Sequence, residues 1–201
     1  RHSLIFALDV SDADEARRLT KLLVGRVGLF KVGLELFIAC GPSVVHAVKE
    51  EGGEVFLDLK LHDIPATVAR AAAAAARLGV RMITVHTQGG ARMIAAAVQG
   101  AAEAAGAAKL TAPDVVGVTV LTSLSDRDLA QLGYPRTAAE TVMQLAAVAA
   151  AAGASGVVAS PKEAEHLRRE AGRDFRIVTP GVRPSWYDTA ARAADDQARV
   201  E

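Results

Sequence analysis

Seven short apolar runs recur along the chain, and each of the first six is followed by a longer stretch with helical character. These runs are apolar on both faces and do not alternate strictly between apolar and polar residues, which is typical of parallel strands covered on both faces. The predicted strands are Leu4–Leu8, Leu29–Val32, Val55–Leu59, Met82–Val85, Val115–Leu121, Val157–Ala159 and Arg176–Thr179. This order predicts successive right-handed βα units and an α/β fold.

Helices are predicted in the segments between these strands. Ser11 and Asp12 are candidate N-caps for the first helix, and Pro161 is suited to the first turn of the last. The first predicted helix ends at about Leu23, and the next three cover Leu36–Lys49, Ile64–Leu78 and Ala91–Ala105. A long helical region is predicted to end at Ala152, and the last helix begins at Pro161.

Polar residues gather where the predicted strands end, and this distinguishes two possible architectures. In a closed barrel all strand ends meet at one rim, whereas in an open doubly wound sheet only the ends beside the switch point converge. The polar residues are Asp9, Lys31, Asp58, Lys60, His86, Thr122, Ser123 and Arg183. Their number favours a TIM (β/α)8 barrel. No G-x-G-x-x-G motif follows the first strand, which weakens a dinucleotide-binding alternative.

The predicted barrel is one unit short of eight. No Gly/Ser-rich or Pro-rich linker divides the chain, so we expect residues 1–201 to form a single barrel domain. An eighth strand and helix would need roughly 30 further residues. We therefore expect the eighth unit to be missing and the chain to be truncated at its C-terminus.

Composition narrows the possible partners. The chain has 201 residues, of which 51% are hydrophobic, and its 23 basic residues balance 23 acidic ones. A zero net charge gives no basic surface for nucleic acid or anionic lipid. A single cysteine, Cys40, excludes a disulfide framework, and no apolar run reaches membrane-spanning length. We expect a cytoplasmic protein that binds a small molecule.

The most informative segment is Asp58-Leu59-Lys60-Leu61-His62-Asp63. In a strand, residues two apart face the same way, so Asp58 and Lys60 share one face while Leu59 packs on the other. Asp63 follows in the turn. Two carboxylates near one ammonium keep that lysine charged. Lys31, from the neighbouring strand, can balance the set at two positive and two negative charges.

Two interpretations of this cluster are open from the residues alone. Buried ion pairs also serve purely structural roles, such as fixing strand register. The additional charges of Asp9 and Lys31 at adjacent strand ends favour catalysis. His86, at the end of the fourth strand, is expected to make a structural hydrogen bond and not to act as a general base.

The sequence resembles the orotidine 5′-phosphate decarboxylase family in five segments. The resemblance is carried by the segments Phe6–Val10, Lys31–Phe37, Phe56–Thr67, Val118–Ser123 and Val178–Pro184. It implies a homodimeric (β/α)8 barrel that uses neither a metal nor an organic cofactor. The implied reaction is decarboxylation of orotidine 5′-monophosphate to UMP.

The resemblance also implies residue roles. Lys60 would stabilise a C6 carbanion and protonate it, Asp58 would lie against the departing carboxylate, and Asp63 would enter the partner subunit's site to complete a set with Lys31. The further substrate contacts implied are Asp9, Ile64, Thr67, Thr122, Ser123, Pro180, Arg183 and Gln197. The segment from 183 to 197 is longer than the usual loop of the family, which weakens the assignment of Gln197.

Two alternatives remain from the sequence. Relatives on the same scaffold, such as a hexulose-phosphate synthase or a keto-gulonate phosphate decarboxylase, share D-x-K-x-x-D but use Mg²⁺. An inactive nucleotide-binding homologue is the other alternative, because the terminal Gly-Arg phosphate clamp of the family is absent from these 201 residues.

Overall fold

The structure is a computed structural model that describes residues 3–182. Its strands are β1 (Ile5–Ala7), β2 (Leu29–Gly33), β3 (Val55–Leu61), β4 (Met82–His86), β5 (Asp114–Val118), β6 (Gly156–Val158) and β7 (Arg176–Val178). Its α-helices are α1 (Ala13–Leu23), α2 (Leu34–Cys40), α3 (Ser43–Glu50), α4 (Pro65–Arg77), α5 (Gly90–Ala107), α6 (Asp126–Gln131), α7 (Ala138–Ala151) and α8 (Pro161–Ala171). A single 3-10 turn, Thr87–Gly89, joins β4 to α5.

The strands form one parallel sheet in the order β1-β2-β3-β4-β5-β6-β7. A doubly wound sheet would reverse its strand order at a switch point, whereas a barrel adds each strand beside the previous one. The uninterrupted order therefore confirms the barrel architecture predicted from the sequence. All seven predicted strands are present within residues 3–182.

The inner face of the sheet carries a small apolar cluster of its own. Each strand contributes one side chain: Ile5, Leu29, Phe56, Met82, Val116, Val158 and Val178. Because side chains alternate along a strand, the residue two positions further on also faces inward. In β2, β3 and β4 these next positions are Lys31, Asp58 and Thr84. An apolar floor thus supports a polar layer at the carboxyl ends of the strands.

The outer faces of the strands pack against the helices in a second, larger core that includes Val32, Leu57 and Ile83. Helices α4 and α5 are rich in alanine and approach each other closely. A Cβ added at Gly100 would lie 2.5 Å from the carbonyl oxygen of Ala69. The small side chains of these helices therefore set their spacing around the barrel.

The helix predicted over Leu36–Lys49 is wrong as a single element. The structure contains α2 and α3, which are separated at Gly41 and Pro42. Gly41 has φ 63°, a left-handed conformation that terminates a helix and favours glycine. Pro42 is the N-cap residue of α3, and its fixed φ of -61° suits the start of a helix.

The fifth strand also differs from the prediction, because it ends at Val118 and not at Leu121. The region after it contains two helices, α6 and α7. Each begins with a capping box, formed by Ser125 with Asp128 and by Thr137 with Glu140. These two S/T-x-x-D/E patterns are visible in the sequence and could have located both helix starts.

Candidate active site

The end of β3 departs from regular strand geometry at Lys60. Between Leu57 and Leu61 the strand advances four residues, while the facing strand advances from Ile83 to Val85. Lys60 has φ 51°, which is uncommon for a residue with a Cβ. This bulge brings the Lys60 Nζ to 2.9 Å from Asp58 Oδ2. The pairing of Asp58 with Lys60 agrees with the prediction, but an irregular strand produces it.

Asp58 is a buried carboxylate, with 8% of the residue exposed. Its Oδ2 accepts from Lys60, and its Oδ1 accepts a hydrogen bond of 2.9 Å from the hydroxyl of Thr84 in β4. The Thr84 hydroxyl in turn accepts the backbone N–H of Lys60 at 2.8 Å. Both carboxylate oxygens therefore have partners, as a buried charge requires.

A second ion pair joins β2 to the segment that follows β1. Lys31 Nζ lies 3.3 Å from Asp9 Oδ1. β2 and β3 are in register so that Gly33 faces Asp58. A Cβ at Gly33 would lie 3.3 Å from Lys31 Nζ, so the glycine makes room for the lysine beside β3. Two ammonium groups are thereby held over adjacent strands at the same rim.

His86 is the last residue of β4 and lies at the same end of the sheet as the two ion pairs. Its Nδ1 lies 3.0 Å from Gln88 Oε1, and Gln88 donates its Nε2–H to the carbonyl of Thr119. Because this orients the amide oxygen toward His86, Nδ1 carries the proton and Nε2 is left with a lone pair. The ring of His62 lies beside it, with the ring centroids 5.3 Å apart and the ring planes tilted by 39°.

Burial lowers the pKa of His86 below its ordinary value of 6.5. The hydrogen bond to Gln88 opposes this effect, while the charges of His62 and Lys60 add to it. The imidazole is therefore neutral at pH 7. Its hydrogen bond to Gln88 agrees with the structural role expected from the sequence.

Asp63 lies in the short segment between β3 and α4. Its Oδ1 accepts the backbone N–H of Ile64 at 2.5 Å, and among residues 3–182 no cation pairs with it. Ile64 is the N-cap residue of α4 and is 66% exposed, and Thr67 lies in the first turn of that helix. Asp63 and Ile64 are exposed and Thr67 is half-buried, and all three lie between the end of β3 and the first turn of α4.

The comparisons with known proteins bear on this arrangement. A family model described as "Orotidine 5'-phosphate decarboxylase / HUMPS family" matches residues 2–201. A protein of Syntrophotalea carbinolica named orotidine 5′-phosphate decarboxylase is 51% identical over all of this chain and 80% of its own length. The chain belongs to the orotidine 5′-phosphate decarboxylase / HUMPS family. A protein of Geotalea daltonii, also named orotidine 5′-phosphate decarboxylase, is 46% identical over all of this chain and 81% of its own length.

A solved structure supports the fold of this family member. Orotidine 5′-phosphate decarboxylase from Lactobacillus acidophilus superposes with a TM-score of 0.79 at 38% identity, over 92% of this chain and 83% of that one.

The other substrate contacts that the family resemblance implies lie in the segments that follow β5 and β7. Thr122 and Ser123 lie in a turn beyond the end of β5, closed by a hydrogen bond from Leu124 N to Leu121 O. Pro180 follows β7 and is half-buried. The other two expected contacts, Arg183 and Gln197, lie outside the described residues.

Sequence reasoning did not single out Thr84 or Gln88. Thr84 is fully buried, at 0% exposure, in the otherwise apolar run that begins β4. A lone hydroxyl among Met82, Ile83 and Val85 needs a partner, and this was the signal available in the sequence. Gln88 carries no comparable signal, because its partners come from β4 and the segment after β5.

Further features separate the site from the rest of the fold. A cavity of about 290 Å³ lies on the helix-facing side of β3, and its lining is mostly apolar, which does not suit a charged substrate.

In the described part of the chain, no group of three or more His, Cys, Asp or Glu side chains could hold a metal ion. No helix described there is both long enough and apolar enough to cross a membrane.

Proposed function

We propose that this protein decarboxylates orotidine 5′-monophosphate to UMP. The observation that carries the proposal is the ammonium of Lys60, held 2.9 Å from the buried carboxylate of Asp58 above an apolar floor. This arrangement occurs in a chain that is 51% identical to a protein named for that reaction.

The chemistry requires a localised positive charge. When C6 of the pyrimidine loses CO2, the bonding electrons remain in an in-plane orbital of the ring, where no carbonyl can accept them by resonance. An ammonium fixed beside C6 stabilises that developing charge and needs no reorganisation during the reaction. Lys60 then transfers a proton to C6, which yields UMP and the neutral amine.

Asp58 contributes in two ways. It holds Lys60 in place through the ion pair, and it presents negative charge to the substrate carboxylate. Two unit charges about 4 Å apart at an effective dielectric near 20 repel by roughly 4 kcal/mol. This repulsion disappears as neutral CO2 forms. The fixed ammonium remains the main contribution because it acts on the charge that develops in the transition state.

We assign the Asp9–Lys31 pair to the ribose hydroxyls. Asp9 can accept a hydrogen bond from a hydroxyl, and Lys31 can donate one. Lys31 lies on β2, next to Gly33, and Asp9 lies just after β1. This position supports the role, because a nucleoside bound with its base over Lys60 would extend its sugar across the neighbouring strands. Thr122, Ser123 and Pro180 remain candidate contacts to the base and phosphate.

We further propose that the active enzyme is a homodimer with shared sites. Asp63 has no cationic partner among residues 3–182, and the adjacent Ile64 exposes 66% of its surface. An exposed isoleucine beside an unpaired carboxylate suits a surface that another copy covers. Asp63, Ile64 and Thr67 would then enter the partner's site, where Asp63 completes the charge set with Lys60.

The direct test follows the ultraviolet absorbance of orotidine 5′-monophosphate with the natural full-length protein, with and without EDTA. We expect turnover that EDTA does not reduce. Loss of activity in EDTA would support the alternative of a Mg²⁺-dependent relative on the same scaffold. Tight binding of UMP without any turnover would instead support the inactive nucleotide-binding homologue.

Shared sites are tested with hybrid dimers of Lys60→Ala and Asp63→Ala. Each variant alone has no intact site, but a hybrid dimer regains one site that carries both native residues. Mixing equal amounts with full exchange should restore about a quarter of the wild-type sites. Mass spectrometry verifies the exchange, and no recovery in an exchanged sample would refute the shared site.

The remaining assignments follow from composition. A formal net charge of zero, with 23 basic and 23 acidic residues, favours a nucleotide-sized substrate over nucleic acid. We propose a cytoplasmic location, which a single cysteine and a role in pyrimidine synthesis support. Fractionation of cells that produce the protein would test this location.

A further inference from the structure

Thr84 is the polar side chain on which the geometry of β3 depends. It lies within β4, is fully buried, and directs its hydroxyl toward the neighbouring strand. The oxygen accepts the backbone N–H of Lys60 at 2.8 Å, and its proton is donated to Asp58 Oδ1 at 2.9 Å. One hydroxyl therefore contacts the backbone of one member of the ion pair and the side chain of the other.

The bulge in β3 explains why this hydroxyl is needed. Lys60 has φ 51°, and the regular register between β3 and β4 is interrupted from Leu57 to Leu61. An interrupted register removes the usual backbone acceptor for the Lys60 N–H. The Thr84 oxygen takes the place of that acceptor. A left-handed conformation at a residue with a Cβ persists only where the surroundings hold it.

The same hydroxyl also orients the carboxylate of Asp58. Because Oδ1 is occupied by Thr84, Oδ2 is the oxygen that receives Lys60 Nζ at 2.9 Å. The backbone position of Lys60 and the rotation of the Asp58 carboxylate are thus set by a single buried group.

We propose that Thr84 is a positioning residue, which holds the Lys60 ammonium at the point where the substrate carbanion forms. This inference rests on the proposed function for its kinetic consequence, but its geometric part can be tested without turnover. Thr84 acts through Asp58 and Lys60 and is not itself expected to touch substrate.

The kinetic test uses Thr84→Val and Thr84→Ser. Valine keeps the branched shape and removes the hydroxyl, whereas serine keeps the hydroxyl. Because a misplacement of catalytic groups by about 1 Å can cost about 10²-fold in rate, we expect Thr84→Val to lower kcat by about that factor. KM should change little, since the sugar and phosphate contacts remain. Thr84→Ser should restore most of kcat.

Thr20→Val provides a matched control. Thr20 is also fully buried, and its hydroxyl donates to the carbonyl of Ala16 at 2.8 Å within α1. This variant loses one buried hydroxyl outside the site, so it should lower Tm and leave kcat unchanged. If Thr84→Val does not yield folded protein, Thr84→Cys replaces it, because a thiol is of similar size and a weak hydrogen-bonding group.

A crystal structure of the Thr84→Val variant separates this inference from the proposed function. We expect Lys60 to leave the left-handed conformation, or its Nζ to leave the Asp58 carboxylate. An unchanged bulge and ion pair would overturn the inference whether or not the wild type turns over substrate. Wild-type kcat in Thr84→Val, or equal impairment in Thr84→Ser, would also overturn it. A wild type without turnover refutes the proposed function alone.

Discussion

Replacing Lys60 by alanine is the most demanding test of the proposed chemistry. The side chains of Lys60 and Asp58 are 30% and 12% exposed, so the pair lies in a partly solvated setting where an effective dielectric near 20 is appropriate. An ammonium about 4 Å from a unit negative charge then contributes roughly 4 kcal/mol. That energy corresponds to about three powers of ten in rate.

The substitution also removes the proton donor. A positioned general acid typically contributes about 10²- to 10⁴-fold. Taken together, the two losses predict that kcat/KM for orotidine 5′-monophosphate falls by at least about 10⁵-fold in Lys60→Ala. The assay follows the change in ultraviolet absorbance over a range of substrate concentrations that extends below KM, at high enzyme concentration so that very slow turnover can be measured.

Lys49→Ala is the matched control for this experiment. Lys49 lies on α3, and its Nζ donates to the carbonyls of Leu78 and Gly79, each at 3.0 Å, in the loop that precedes β4. This variant also removes an ammonium but at the opposite end of the strands, so we expect a lower Tm with unchanged kcat. Circular dichroism should show that both variants are folded. Activity of Lys60→Ala within about tenfold of the wild type would refute the electrostatic mechanism.

Two further predictions concern pH and packing. Burial lowers the pKa of His86, so the unfolded chain binds a proton at this residue more readily than the folded chain, and the free energy of unfolding should decrease as pH falls below 6.5. Thermal unfolding measured from pH 8 to pH 5 should show a smaller decrease in Tm for His86→Gln than for the wild type. An equal decrease in both proteins would contradict this prediction. Gly100→Ala should destabilise the protein by about 1–3 kcal/mol because its Cβ would lie 2.5 Å from the Ala69 carbonyl oxygen. Gly106→Ala, in the same helix with no atom within 4 Å, should instead stabilise by up to about 1 kcal/mol, and urea unfolding measures both changes.

The barrel separates the residues that stabilise it from those assigned to catalysis. The inward positions near the amino ends of the strands are apolar, and those nearer the carboxyl ends are polar in β2, β3 and β4. The apolar floor excludes water from beneath the ion pair, which strengthens its electrostatic interactions. Substitutions in the floor should therefore affect stability first, whereas substitutions two residues further along a strand should affect catalysis first.

The seven strands, the parallel α/β class and the pairing of Asp58 with Lys60 could all be predicted from the amino-acid sequence. These features depend on local patterns, namely runs of apolar residues and the two-residue period of a strand. The barrel was also predictable, because many polar residues lie at strand ends. The division of the predicted 36–49 helix at Gly41 carried a local signal that was not used.

The way in which the charged groups are held could not be predicted from the sequence, because it depends on contacts between strands. The left-handed conformation of Lys60 and its support by Thr84 depend on the register between β3 and β4, which is a contact between residues 24 positions apart. The link from His86 through Gln88 to Thr119 likewise joins segments that are distant in the chain. A sequence pattern specifies which face a side chain occupies, but a hydrogen bond between strands depends on how their backbones are aligned, and packing of the whole sheet sets that alignment.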